Sequence, residues 1–376
     1  MPLPTEPVGS LPRPSRLEGA YEARERGEIG ADQLGAEQEA AAADSIRRLE
    51  GAGESVVSAG EHREASLISY PLSPDPGTGT LSANLSSEGQ PFGVFGEAHH
   101  RLLPRLVSGP FRYATFAHRF VERNVGIANV PFKQAVIAPS MLMLLYPVDG
   151  EIEDYSRDQF LADLCDEAER DIRGCFQAGA ARVSIDFTEA RVAHENESRN
   201  PWTGRDMLGD FIEINNRVID RFGPEERARI GVHLCMGRTV SSERHLRRRV
   251  LSRLFELNAG YFLLPCSSQD EEAEVLRLCA DNRREDLSGI PQICFVGVVD
   301  PFRTEVETPE EVRDMLLRAA ELIPADRLGA TDDCGFAALG LASEPTVDRD
   351  RARDLAIEKV ANRVTGSAMA SEVLGI

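Results

Sequence analysis

Eight short apolar or β-branched runs recur along the chain, separated by stretches with helical spacing, and this alternation restricts the fold more than any other feature. The runs are Pro7-Val8-Gly9, Ser55-Val56-Val57-Ser58, Gln134-Ala135-Val136-Ile137-Ala138, Arg182-Val183-Ser184-Ile185, Ile230-Gly231-Val232-His233-Leu234, Tyr261-Phe262-Leu263-Leu264, Ile293-Cys294-Phe295-Val296-Gly297-Val298-Val299 and Arg327-Leu328-Gly329-Ala330. Near-continuous apolar strands alternating with helices form a parallel sheet with helices packed on it. A length of 376 residues allows two ordinary domains or one large barrel,. Eight repeats favour the second, an α/β chain folded as a single (β/α)8 TIM barrel over residues 1–376.

The intervening helices have readable ends. Tyr155 to Ala178 sets Phe160, Leu161, Leu164, Ala168, Ile172 and Phe176 on one stripe and stops near Gly179,. Thr308-Pro309-Glu310-Glu311 combines a threonine cap, a proline in the first turn and a glutamate at the third position,. The buried face that follows is Val312, Met315, Leu316, Ala319 and Ile323, and Arg349 to Ala370 supplies a closing helix. An N-terminal helical segment, Arg16 to Leu49, is a helical hairpin or the first barrel helix. Residues 64–132, after the second run, exceed what a minimal barrel needs and form an insertion over its mouth. Within them the Pro/Gly/Ser-rich Tyr70 to Gly93 reads as a long loop or small hairpin.

Composition removes several classes of function. A net charge of −20 opposes nucleic acid and anionic membranes as partners,. No apolar run approaches the roughly 18 residues of a membrane span, and Met1 to Glu6 lacks the features of a secretory signal, so a cytoplasmic location is expected. Lys133 and Lys359 are the only lysines, which leaves a Schiff-base or P-loop mechanism almost without candidates,. The seven cysteines are odd in number and widely spread, as expected of free thiols in a reducing compartment,.

In a barrel of this type chemistry sits at the carboxyl ends of the strands. There the runs end, in order, on Ser10, Glu61, Ser140, Asp186, His233 with Cys235, Cys266, Asp300, and Asp332-Asp333-Cys334. His233 and Cys235 are two residues apart on one strand, so they share a face. Imidazole and thiolate suit a borderline-soft ion such as Zn(II), and three strand ends carrying thiols supply a set of three or four sulfur and nitrogen ligands. Each residue also has a plainer role open to it. Asp186 and Asp300 could cap helices, Cys334 could be a small buried residue before Gly335, and Glu61 and His62 could pair with Arg63 or Arg101 on the surface.

Five blocks resemble, in order, the signature segments of the cobalamin-independent methionine synthase family: Thr5-Glu6-Pro7-Val8-Gly9-Ser10-Leu11-Pro12-Arg13, Gly60-Glu61, Val183-Ser184-Ile185-Asp186, Val232-His233-Leu234-Cys235 and Asp332-Asp333-Cys334-Gly335-Phe336. The chain resembles the catalytic carboxyl-terminal barrel of those enzymes over nearly its whole length. That resemblance implies a barrel holding Zn(II) through His233, Cys235 and Cys334, with Ser10, Glu61 and Asp186 holding the amino-acid part of a thiol substrate. Two departures stand out. Pro265 occupies the place of the glutamate that completes the family's zinc site, which leaves three protein ligands with an open position, or Cys266 as the fourth. Pro301 and Phe302 stand where the folate-handling histidine should be, and Leu144 to Tyr146 lack the stacking tryptophan, since the only tryptophan is Trp202. Both losses argue against polyglutamyl methyltetrahydrofolate as donor.

The function so implied is a zinc-dependent thiol methyl- or alkyltransferase of the methionine synthase II type, in which a zinc-bound, homocysteine-like thiolate attacks an electrophilic carbon. Zinc would lower a thiol pKa that is otherwise roughly 8.5. The expected partners are a small-molecule thiol and an alkyl donor, with methylcobalamin or a carrier protein among the candidates. Two alternatives are addition of a thiol to an epoxide, as in the epoxyalkane:coenzyme M transferases that the chain also resembles, and a metal-free lyase like the uroporphyrinogen decarboxylase barrels.

Overall fold

A computed structural model describes residues 2–64, 66–77, 80–95, 99–148, 150–190, 207–235, 244–266, 272–284, 289–340 and 348–376. The chain opens with α1 (Ser15–Glu25) and α2 (Ala31–Gly51), the expected helical hairpin, followed by the antiparallel strands β1 (Leu85–Phe95) and β2 (His99–Leu106) and the short α3 (His118–Asn124). Then come β3 (Lys133–Ile137), α4 (Pro139–Leu142), α5 (Arg157–Gln177), β4 (Arg182–Phe187), α6 (Leu208–Ile219), α7 (Pro224–Arg227) and β5 (Ile230–Leu234). The remainder is α8 (Arg244–Leu254), β6 (Tyr261–Leu264), α9 (Glu272–Asn282), β7 (Ile293–Val299), α10 (Pro309–Ala320), β8 (Leu328–Asp332) and α11 (Arg349–Leu374).

The runs from β3 to β8 form a six-stranded sheet, every neighbouring pair parallel and the order following the sequence. Helix-bearing crossovers make that arrangement: each returns the chain to the same edge, so the sheet winds in one direction without a switch point. The runs expected at residues 7–9 and 55–58 are extended segments joined to this sheet by single parallel bridges, Thr5 to Ala330 and Val57 to Phe132, and to each other by Ser10 to Gly60. Glu6 N donates to Ala330 O at 3.0 Å and Lys133 N to Val57 O at 2.8 Å. Pro4 and Pro7 have no N–H to give, which keeps the first segment from forming a longer ladder.

The two sides of the sheet differ. On the helix side one apolar core runs from Leu3 to Ala370. On the other, Val8, Tyr261, Leu263 and Phe295 form a separate cluster. Beside it lies a buried ion group: Glu6 is 0% exposed, 3.3 Å from Lys133 Nζ, and also pairs with Arg182. Lys133 Nζ donates further to Pro7 O at 2.6 Å and Val8 O at 3.0 Å. Such charges are tolerated out of water only when paired and hydrogen-bonded, as these are.

The insertion is packed. Its loop becomes a turn at Tyr70–Leu72 and a hairpin whose β2 meets the 143–145 turn after β3, and Tyr70, Leu72, Leu85, Leu103, Leu106 and Phe111 join the main core. Asp171 on α5 ties it down, accepting from Tyr70 OH and, at 2.6 Å, from Ala117 N. Helix α11 starts at an Asp348 cap and ends at Gly375 in the left-handed conformation. It locks the amino terminus: Arg363 pairs with Glu54 and Asp332, and Ser371 Oγ accepts from Leu3 N at 2.9 Å.

Candidate metal and thiol site

Strands β4 and β5 place Asp186 and His233 side by side in parallel register. Gly231, His233 and Cys235 share the helix-free side, where Gly231 leaves room for the Tyr261 ring: a Cβ there would meet Tyr261 Cε2 at 2.1 Å. Asp186 Oδ1 accepts a hydrogen bond from His233 Nδ1. Burial alone would push the imidazole down, but the Asp186 charge and hydrogen bond outweigh it and hold the group above the ordinary histidine range. His233 Nε2 is buried and has no hydrogen-bond partner among the described residues. A histidine oriented by a carboxylate through one nitrogen, with the other left bare, is the arrangement that metal-ligating imidazoles adopt.

The second component is a pair of thiols. Cys235 Sγ lies 3.6 Å from Cys334 Sγ, although β5 and β8 are separated by β6 and β7. Two sulfurs bound to one tetrahedral ion at ~2.3 Å lie about 3.8 Å apart, so the observed spacing fits a shared ion. Cys235 also acts electrostatically on His233. Among the described residues no group of three or more His, Cys, Asp or Glu side chains is placed so that it could hold a metal ion. What is present is a sulfur pair and, on the same strand end as Cys235, an imidazole nitrogen without a hydrogen-bond partner among the described residues, N and S atoms of the kind a borderline-soft ion prefers,.

Cys266 faces elsewhere. Alternation along β6 sends Tyr261, Leu263 and then Pro265 to the helix-free side, and Phe262, Leu264 and Cys266 to the helix side. The Cys266 sulfur lies 4.0 Å from Glu272 O at the start of α9 and acts on Cys279 of that helix. Alternation thus puts Pro265, where the family's glutamate was expected, on the helix-free side. Asp333 accepts from Cys266 N, joining the ends of β6 and β8.

The residues implied for an amino-acid thiol sit around this centre. Glu61 has a left-handed backbone, φ 59°, which costs about 1–3 kcal/mol in a non-glycine residue. Its carboxyl lies against Gly9, where an added Cβ would be 2.9 Å from Oε1. Burial pushes that carboxyl well up, reinforced by the charges of Glu64 and Asp186. Ser10 O accepts from Phe336 N at 3.0 Å, and Gly335 is open where a Cβ would stand 2.0 Å from Ser10 Oγ. Gly9, Ser58, Glu61, Arg63, Glu64, Asn124 and Gln134 line a polar pocket between the first segment, the second and β3.

Other strand-end residues have structural work. Asp300 Oδ1 accepts from Phe302 N at 2.8 Å, a turn contact, and Asp332 binds Arg363 and accepts from Val8 N at 3.1 Å. His62 is not at the surface. It is 0% exposed, with Nε2 at 2.9 Å from Ser45 Oγ and 3.2 Å from Arg353 Nη1, and burial followed by the Arg353 charge pushes it well down. The turn expected to carry a folate-stacking ring is closed: Tyr146 is 1% exposed and donates to Tyr155 O at 2.9 Å. Trp202, His194 and the side chains of His99, His100 and His245 lie outside the described residues. One residue that the sequence reading passed over is Glu189, 2% exposed, whose carboxyl accepts from Ser140 Oγ. An acid flanked by Phe187, Thr188 and Ala190 just past a strand end was the available signal.

No family model matches the chain. Its sequence is 22% identical over 371 residues to a methionine synthase of Thermococcus kodakarensis, covering 97% of this chain and 92% of that protein. Over a shorter stretch, 74 residues, it is 40% identical to the 2-hydroxypropyl-CoM lyase of Xanthobacter autotrophicus, 17% of this chain and 20% of that one. Among solved structures, a B12-independent methionine synthase from a Shewanella species, in complex with selenomethionine, superimposes with a TM-score of 0.71 at 18% identity, covering 100% of both chains. The fold and the relatives define the class, an enzyme of the methyltransferase kind. More particularly, the resemblance read from the five sequence blocks is borne out: the chain is related to the cobalamin-independent methionine synthases, at the length of a single barrel.

Proposed function

We propose that this chain is a zinc-dependent thiol alkyltransferase, built as one (β/α)8 barrel over residues 1–376 with residues 64–132 inserted over its mouth. The observation that carries the reading is the Cys235–Cys334 sulfur pair at 3.6 Å; His233, two residues before Cys235, adds a buried Nε2 without a hydrogen-bond partner among the described residues. These three residues would hold Zn(II), leaving a fourth position for substrate, because Pro265 offers no ligand and Cys266 turns to the helix side. The three parallel bridges that link the first two segments to each other and to both edges of the sheet support closure of the barrel.

Bound zinc supplies a Lewis acid that favours the thiolate form of a thiol substrate at neutral pH. The protein supplies the rest. Asp186 fixes the orientation of His233, and Ser10 and Glu61 hold the amino-acid part of a homocysteine-like thiol, with the second oxygen of Asp186 facing its ammonium. The thiolate then displaces a leaving group from an electrophilic carbon. The buried Tyr146 and the Pro301-Phe302 pair support a donor other than polyglutamyl methyltetrahydrofolate, with methylcobalamin or a carrier protein as candidates. The local likeness to a 2-hydroxypropyl-CoM lyase supports one second reading, thiol addition to an epoxide, which uses the same thiolate. A cytoplasmic enzyme is the reading we adopt; none of its cysteines is in a disulfide.

Metal analysis of the protein and its His233→Ala, Cys235→Ser and Cys334→Ser variants tests the centre, with one zinc per chain expected in the first and loss in each variant. Titrating cobalt-substituted enzyme with homocysteine and other thiols tests the substrate class. If no thiol changes the cobalt spectrum, the transferase reading fails.

A further inference from the structure

Glu189 lies three residues beyond Asp186, just past β4, and its surroundings are unusual for a glutamate. Its Oε1 accepts from Ser140 Oγ, which accepts from Asn215 Nδ2 at 2.7 Å, and Ser140 N donates to Asn215 Oδ1 at 3.4 Å. The carboxyl is thus fixed among the end of β3, the end of β4 and α6. Its Oε2 is buried with no hydrogen-bond partner among the described residues, and no cation is paired with it there. Burial pushes the carboxyl up to about 8 against the hydrogen bonds from Ser140 and from the backbone N–H groups of Glu189 and Thr188, with the like charge of Asp186 acting in the same sense as burial. A carboxyl so placed is a neutral acid at pH 7. With Oε1 occupied as an acceptor, Oε2 is the oxygen left for its proton, and it has no hydrogen-bond partner among the described residues,.

We propose that Glu189 is the proton donor to the leaving atom of the alkyl donor, acting from Oε2, with Ser140 and Asn215 as positioning residues. The inference rests on the thiol-alkyltransferase reading. An in-line displacement puts the leaving atom on the opposite side of the carbon from the sulfur. Its acid is therefore expected from a strand end flanking β5 and not from the ligand-bearing ends of β5 and β8. The end of β4 is such a place, and Asp186 on it already touches His233. In the step, for a donor whose leaving atom is oxygen or nitrogen, the sulfur–carbon bond forms and the bond from carbon to that atom breaks, with its electron pair passing to it. The Oε2 proton moves to the same atom. The carboxylate regains a proton from solvent, equal to the one released when the thiol ionised, so nothing is oxidised or reduced and no further reactant enters.

This role predicts a dependence on the leaving group that a structural role does not. Glu189→Gln keeps an acceptor for Ser140 and has no acidic proton. Zinc-loaded wild type and variant are assayed with homocysteine against a short aliphatic epoxide, whose alkoxide needs a proton, and against trimethylsulfonium, which leaves as a neutral sulfide. The expected result is a loss on the order of 100-fold with the epoxide, rates with the sulfonium within a few-fold of wild type, and a smaller loss of the same pattern in Ser140→Ala. Equal loss on both donors, no loss on either, or a wild type that alkylates the thiol with the sulfonium alone overturns the proposal. The thiol-induced cobalt spectrum of Glu189→Gln is the control. If it is present in wild type and variant, the rates judge Glu189 alone. If it is missing in the wild type, the functional reading itself has failed.

Discussion

The sulfurs of Cys235 and Cys334 stand 3.6 Å apart at the ends of strands that are third neighbours in the sheet. In a flat sheet those strands would be roughly 14 Å apart at the usual spacing. The contact therefore measures how far the sheet curls, and it ties the fold to the proposed centre: whatever flattens the curl parts the ligands.

Asp186 offers the first test. It orients His233 without occupying the sulfur pair, so Asp186→Asn should keep the fold and weaken zinc by about 10–100-fold, the range for partners of ligating histidines. Competition with a chromophoric chelator reads this directly. An unchanged affinity would mean that the contact does not set the imidazole's orientation.

Gly231 offers the second. A Cβ there would meet the Tyr261 ring at 2.1 Å, and Gly231→Ala should destabilise by about 1–3 kcal/mol through overpacking. The displaced strand carries His233 and Cys235, so zinc content should fall with stability. Adding Tyr261→Leu should restore part of both, and denaturant titration with metal analysis shows whether it does.

The third concerns Lys133, whose ammonium is buried against Glu6 and two carbonyls. Lys133→Met leaves Glu6 short of one cation inside the protein, and a loss of about 3–5 kcal/mol is expected for a buried pair broken on one side. Pairing the change with Glu6→Gln should recover much of that in urea unfolding. A single variant as stable as wild type would mean that Arg182 alone neutralises Glu6.

The fourth is a pH dependence. Burial raises the Asp171 carboxyl from 3.8 to about 7, against the hydrogen bonds from Tyr70 and Ala117. Because the folded pKa lies above the unfolded one, this group's contribution to stability is complete below about pH 4 and is lost as pH rises through about 7. Wild type should therefore lose stability relative to Asp171→Asn between about pH 4 and 8, measured by urea midpoints at each pH. A difference that does not change with pH would show that the acid is ionised throughout.

Where local chemistry suffices, the sequence was an adequate guide. Thr308 and Glu311 form the capping box that their spacing announces, and the apolar runs at 133–137, 230–234 and 293–299 are strands, buried throughout except at Ile293. The run at 7–9 was expected as a strand and instead holds its place by single bridges, since Pro4 and Pro7 have no N–H to give to a ladder,. Alternation put His233 with Cys235, and the same rule, carried one step past Leu264, turns Cys266 to the helix side. Nothing local reveals that Cys334 meets Cys235, because that depends on the curl of four strands. His62 was illegible for a related reason, and Glu189 carried no more signal than its flanking residues: a lone acid or imidazole in a loop reads as solvated until burial and partners from distant segments are known.

The grip of α11 on the amino terminus has a consequence for synthesis. Leu3, Glu6 and Val8 find their partners on Ser371, Ala330 and Asp332, which leave the ribosome last. The first segment must wait, unplaced, for nearly the whole chain. A transcript truncated before α11 would yield a product with Glu54 and Asp332 facing each other without their arginine, a species fit for proteolysis and not for slow function.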